Sequence, residues 1–358
     1  MEVFWYVVLM GMLTMYVLLD GFDFGAGIIH FFMAEKEADK QRITKSIGPF
    51  WDANEVWLIA VGGFMFYAFP TLYASAFSGF YLPFMMILWL LIFRAIGLEL
   101  RAQFDFPIWH TIWDKAFGFS SFLLALFFGL ALGNVVRGVN LGGVENGVST
   151  YDPQYFFLPL WNSSLDPFAE RLGVIDWFTL PLGLIAVVSL TMHGANWIVL
   201  KTNSTLNQRL RRLVFRLNFL LVALLLLSVA SLQTVQPKIF ANYIANPLLF
   251  VFPMLLFLGV IGLFCVQKVK KDGYGFLCSS LFLVGGMSTT AAAMFPNLLP
   301  STNAINPSLT VYNTIIGEYG LSVGFKWYVL GICLVTVYFI IQHYVFRGKM
   351  DDYDFGDH

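Results

Sequence analysis

The stretch VFWYVVLMGMLTMYVLLDGFDFGAGIIHFF (residues 3–32) decides how this chain is read. Only two of its side chains are acidic or basic at neutral pH, Asp20 and Asp23. A helix needs about 20 mostly apolar residues to cross the hydrocarbon core of a bilayer. This segment exceeds that length. It has no basic residues before it and no small-residue cleavage site, so a retained first span is expected rather than a cleaved leader.

Working outward, eight further runs meet the same test: residues 50–69, 77–98, 115–136, 177–200, 213–234, 247–266, 274–294 and 321–345. The expected fold is therefore an all-α polytopic membrane protein of nine transmembrane helices, one integral membrane domain over residues 1–358. The second run is the most polar at its start, where Trp51, Asp52, Asn54 and Glu55 stand. Composition agrees with a lipid-solvated chain. It is 58% apolar and 12% charged, with a mean hydropathy of +0.72, against about 25% charged in a soluble domain. A net charge of −1 gives no field to steer a polyanion, so nucleic acid is not expected as a partner. Cys265, Cys278 and Cys333 lie in apolar runs without CxxC spacing and suggest neither disulfides nor a thiolate metal site.

Basic residues orient the chain, because cytoplasmic loops are enriched in Lys and Arg. Fifteen of them fall in alternate loops and the tail: Lys36, Lys40, Arg42 and Lys45; Arg101 and Lys115; Lys201, Arg209, Arg211 and Arg212; Lys268, Lys270 and Lys271; Arg347 and Lys349. The opposite loops hold only Arg137, Arg171 and Lys238. The N-terminus is thus expected outside and the C-terminus inside.

That orientation brings the intramembrane charges to one level. Asp20 and Asp23 fall in the inner half of the first span, Asp52 and Glu55 at the inner start of the second, and Arg94 and Glu99 at the inner end of the third. Each acidic pair has i,i+3 spacing and shares a helix face. An ionisable group at the centre of a span costs roughly 2.5–3.5 kcal/mol and is a functional hypothesis by default. One arginine cannot neutralise five carboxylates, and a carboxyl that holds a proton can pass it on. A cytoplasm-facing proton path is one reading. The other is structural: solvated acids at the headgroups, and an aspartate that pairs with Arg94 to fix packing.

Five histidines offer little for a redox metal. His110 is in a loop and His358 ends the chain; His30 and His343 lie near inner helix ends, where snorkelling or helix-dipole roles are common. Only His193 is well inside a span, and a lone mid-span histidine is more often hydrogen-bonded than a ligand. No metal site is expected. Aromatics make up 18% of the chain, mostly for interface belts and packing, although Trp51, Trp57 and Trp89 could line a pocket for a flat apolar ligand.

Several motifs now converge. LDGFDFGAG (residues 19–27), GPFWDANEVWL (48–58), AFSGFY (76–81), FRAIG (93–97), AMFP (293–296), and the later Pro300-Ser301 and NPSLT (306–310) resemble subunit II of the cytochrome bd-type quinol oxidases. Ala53 departs from a common glycine there. The resemblance implies a heterodimer in the bacterial cytoplasmic (inner) membrane, with haem b and haem d on a haem-bearing subunit I. It implies an electrogenic quinol:oxygen oxidoreductase that oxidises quinol to quinone and reduces dioxygen to water, in which this chain is not catalytic alone. A small accessory subunit and bound membrane lipid are compatible with it. By the same resemblance Asp52 is the first choice for a proton-path residue. Asp20, Asp23 and Glu55 are its neighbours, Arg94 is the counter-charge, and Trp51 and Trp57 line a quinone or oxygen route. The alternative is a proton-coupled small-molecule transporter. Such folds often carry internal repeats with paired broken helices, and none is evident in the sequence.

Overall fold

A computed structural model describes residues 1–350; His358 lies outside them. Thirteen α-helices follow one another: α1 (Glu2–Phe32), α2 (Glu37–Ile47), α3 (Trp51–Ala68), α4 (Pro70–Gly79), α5 (Tyr81–Leu100), α6 (Pro107–Arg137), α7 (Thr179–Lys201), α8 (Leu206–Val235), α9 (Ala241–Ala245), α10 (Val251–Phe264), α11 (Gly273–Met294), α12 (Val311–Thr314) and α13 (Glu318–Val345). The loop after α6 carries a hairpin of β1 (Val144–Glu145) and β2 (Val148–Ser149). The loop after α11 pairs β3 (Asn297–Leu299) with β4 (Leu309–Thr310).

Among the described residues, eight helices are long and apolar enough to cross a membrane: α1, α5, α6, α7, α8, α10 with its leading 3-10 turn, α11 and α13. The expected second span, α3, is not among them. It has 18 residues, and its first turn is polar. It still packs along α1 within the same bundle.

Boundaries moved where burial overrode hydropathy. The fourth span was expected from residue 115, past Asp114; α6 instead begins at Pro107, and ion pairs hold Asp114 inside the fold. Proline suits the first turn of a helix, where its missing N–H costs nothing. Pro70 likewise starts α4, and the non-helical Phe69 before it separates α4 from α3. The third span accordingly begins at Tyr81. The basic stretch after α1, expected as a loop, forms α2, which buries Ile43 and Ile47.

α7 sits at the centre, packed against α1, α6, α8 and α11. Its crossing with α1 is set by Gly25 and Gly194. A Cβ on Gly25 would meet the Leu190 carbonyl and come within 2.7 Å of the Gly194 nitrogen. Membrane helices lack a hydrophobic drive to associate, so close backbone packing at small residues supplies much of the attraction. α13 is the opposite extreme: only Leu321 and Gln342 are buried along its length.

Candidate functional site

The α1–α7 contact occupies the face of α1 that carries Gly21 and Gly25, and the other side of α1 presents Tyr16, Asp20 and Asp23 to α3 and α5. Their i,i+4,i+7 spacing stacks them on successive turns. Two neighbours complete the site: α3 contributes Asn54 and Glu55 from its first turns, and α5 contributes Arg94. Asp20, Asp23, Asn54 and Arg94 are buried; the Glu55 side chain is 26% exposed.

Arg94 joins the elements. Its Nη1 donates to Asp20 Oδ1 at 2.7 Å, and its Nη2 donates to Glu55 Oε1. The guanidinium carbon lies 4.5 Å from the centroid of the Phe24 ring, a cation–π contact that replaces part of the lost hydration. Among the described residues no cation pairs with Asp23. Its Oδ2 accepts from Asn54 Nδ2 at 2.8 Å, and the same amide also donates to the Leu19 carbonyl at 3.3 Å.

Three acids therefore surround one arginine. Buried charges are costly unless paired and hydrogen-bonded. Among the described residues, Asp23 Oδ1, Asn54 Oδ1 and Arg94 Nε have no hydrogen-bond partner, and Tyr16 Oη and Asp20 Oδ2 have none but each other. Buried polar atoms are normally satisfied, and protons or bound water would supply what these lack. Chemically, the cluster can accept, hold and release protons.

Of the residues singled out from the sequence, the fold brings together Asp20, Asp23, Glu55 and Arg94. It does not bring in Asp52 or Glu99, whose side chains are exposed. Asp52 makes no side-chain hydrogen bond or ion pair among the described residues. Of the five acids expected together, three thus meet in the cluster and two stay outside it; Asp52 shares a face of α3 with Glu55 but stands in the exposed first turn. Trp51 is half-buried at the start of α3. Trp57 is buried, with its ring centroid 5.8 Å from that of Phe339 on α13.

Sequence reasoning missed Asn54 and Tyr16, which carry no formal charge at neutral pH. Of the two roles expected for His30, the last-turn position on α1 holds and the snorkelling does not. Far from snorkelling, His30 is buried, with Nε2 3.2 Å from Asp114 Oδ1. His193 has both ring nitrogens engaged, at 2.8 Å from Ser279 Oγ and 2.9 Å from the Leu18 carbonyl. Neither nitrogen can bind a haem iron without giving up a bond, so this position does not fit that role. Among the described residues no three His, Cys, Asp or Glu side chains gather as a metal site.

The fold is shared with a chain of the bd oxidase of Geobacillus thermodenitrificans, with a TM-score of 0.73 at 18% identity, covering 96% of this chain and 98% of that one. A probable cytochrome oxidase subunit 2 of Haemophilus influenzae is 30% identical over 97% of this chain and 94% of its own length. The cytochrome bd-I ubiquinol oxidase subunit 2 of Escherichia coli is 28% identical over 89% of this chain and 87% of its own. The sequence pattern of one family matches residues 1–346, and this chain belongs to it: cytochrome bd terminal oxidase subunit II.

Proposed function

We propose that this chain is the subunit of an electrogenic quinol:dioxygen oxidoreductase that carries protons inward from the cytoplasm. It pairs with a haem-bearing subunit I in the bacterial cytoplasmic membrane. Subunit I holds haem b and haem d and supplies the electron transfer to oxygen; this chain binds no haem. All nine spans cross, α3 included, with the N-terminus outside and the C-terminus inside.

The observation that carries this reading is the buried Asp20–Arg94–Glu55 and Asp23–Asn54 cluster, with its unpartnered oxygens. Reducing dioxygen to water consumes a proton for each electron. Dioxygen dissolves in an apolar interior, whereas a proton needs ionisable or hydrated steps to cross one. Quinol that releases its protons outside, while oxygen takes its own from inside, separates charge across the membrane without moving any other ion.

Asp20, Asp23 and Glu55 form the internal part of the route, and Arg94 keeps their charge tolerable. Asp52, exposed one helical turn before Glu55, is where the route meets subunit I. Trp51 beside it lines the quinone or oxygen route, with Trp57 behind it. The nearly bare flank of α13, next to α3, supports the same side as the docking face for subunit I.

The test is oxygen uptake driven by quinol in purified complex of normal haem content. Asp23→Asn and Asp52→Asn are each expected to assemble and to lower turnover by about tenfold or more, a typical scale for loss of an acid–base group. Unchanged uptake in Asp52→Asn removes Asp52 from the route. Unchanged uptake in Asp23→Asn as well removes the cluster.

A further inference from the structure

A second polar cluster lies at the inner end of α1, in the seam where α1 meets α6. His30 is fully buried on α1, and Asp114 of α6 is nearly so. Three elements aim cations or their partners at Asp114. Lys40 of α2 donates to Oδ2 at 2.7 Å, and Arg101, just past α5, donates through Nε to Oδ1 at 2.5 Å. Arg101 also pairs with Glu37 of α2, and His110 of α6 stands 3.9 Å from the same carboxylate. Side-chain exposure falls steadily inward: 47% at Glu37, 25% at Lys40 and 21% at His110, 8% at Asp114 and 0% at His30.

His30 ends this series without a good bond of its own. Its Nε2 lies 3.2 Å from Asp114 Oδ1, within ion-pair reach, and Nδ1 has no partner among the described residues. Seven residues earlier on the same helix face is Asp23, whose Oδ1 is also orphaned. Two helical turns separate the two groups, about 10 Å along the axis. Between them the helix has Gly27 in place of a side chain. The hydroxyl of Ser121, from α6, occupies the space a Cβ would take there. That hydroxyl donates to the Phe117 carbonyl at 2.7 Å, which leaves its lone pairs free to accept.

We propose that this seam is the cytoplasmic proton intake of the chain, with His30 as its relay and Ser121 as a stepping stone to Asp23. A proton arriving past Glu37 and Asp114 binds one ring nitrogen of His30. Asp114 stabilises the doubly protonated ring. The opposite nitrogen then releases its proton to water held at Ser121, which passes one on to Asp23. A ring flip restores the starting tautomer, and no electron moves. The inference rests on the proton-carrying role of the buried cluster. It adds that protons enter through this chain's own helices and not at exposed Asp52.

The test uses the whole purified complex, fully reduced and mixed rapidly with dioxygen, with proton uptake followed by a pH-indicator dye. His30→Phe keeps the ring volume. His30→Gln keeps hydrogen bonding but has no second ring nitrogen to take up one proton and release another. Both are expected to slow the uptake phase by about tenfold or more, with oxygen binding and the haem spectrum unchanged, and Ser121→Ala to slow it less. Wild-type uptake in His30→Gln means that His30 only fills and bonds, and overturns the relay. Wild-type uptake in both His30 variants, with slow uptake in Asp23→Asn, means that protons reach the cluster by another way; the intake falls and the cluster stands. Wild-type uptake in Asp23→Asn too removes both.

Discussion

Arg94 shows how one side chain sets the terms for its surroundings. It is buried between Asp20 and Glu55, so its removal leaves two acids without their cation. Breaking a buried ion pair by deleting one partner typically costs about 3–5 kcal/mol, because the remaining charge stays buried and unpaired. Arg94→Gln is expected to lose that order of stability, read by thermal unfolding of the purified complex. Adding Asp20→Asn should recover part of the loss, since residues in one network are not additive. A different rule governs Asp272, outside the spans at the start of α11. Burial raises its pKa, but hydrogen bonds from Lys349 and Arg211 outweigh burial and hold it below the usual 3.8. A carboxylate depressed in the fold contributes stability above its unfolded pKa and loses it as pH falls through the folded value. Lys349 should therefore stay clasped at neutral and mildly acidic pH and let go only below about pH 4. Hydrogen exchange of residues 346–350 against pH checks this, and Asp272→Asn should abolish the dependence.

Among the elements, the α1–α7 crossing does most to place the site. Gly25 faces the backbone of Leu190 and Gly194, which cannot move aside as a flexible side chain would. Gly25→Val is expected to cost at least about 1–3 kcal/mol, the usual scale of overpacking, and to lower the yield of assembled complex. Gly11 on the same helix has nothing within 4 Å of an added Cβ, so Gly11→Ala should be near neutral in the same assay. The spacing of Gly21, Gly25 and Gly27 permits a close helix approach without naming its partner. Elements that hydropathy could not define follow the same pattern. α2 is too polar to register as a span, yet two isoleucines pin it beneath the bundle. The first turns of α6 carry Asp114, which hydropathy rejects and two cations, Lys40 and Arg101, accept beside His30.

Across the whole molecule, the uneven distribution of Lys and Arg predicts which end faces which side. A tag before Met1 should be accessible from outside intact cells, and a tag after His358 only once they are opened. The reverse result would turn the acid cluster toward the outer leaflet and remove its link to cytoplasmic protons. The broad exposed flank of α13 fits a chain that does not work alone.

The sequence by itself determined the solvent, the helical class and the family. Runs of apolar residues long enough for a bilayer leave the backbone few other ways to satisfy its hydrogen bonds, and the motifs around Asp20 and Asp52 are local. It also predicted that acids and an arginine share one level, since depth follows from position along a span. Which of those acids meet was decided only by the tertiary fold. Packing turns Asp20 and Asp23 of α1 inward and Glu99 of α5 outward, and on α3 it covers Glu55 while leaving Asp52 exposed in the first turn; those packing partners are far away in the chain. His30 and Asp114 are 84 residues apart, each unremarkable in its own segment. They become a buried pair because small residues let α1 and α6 lie close.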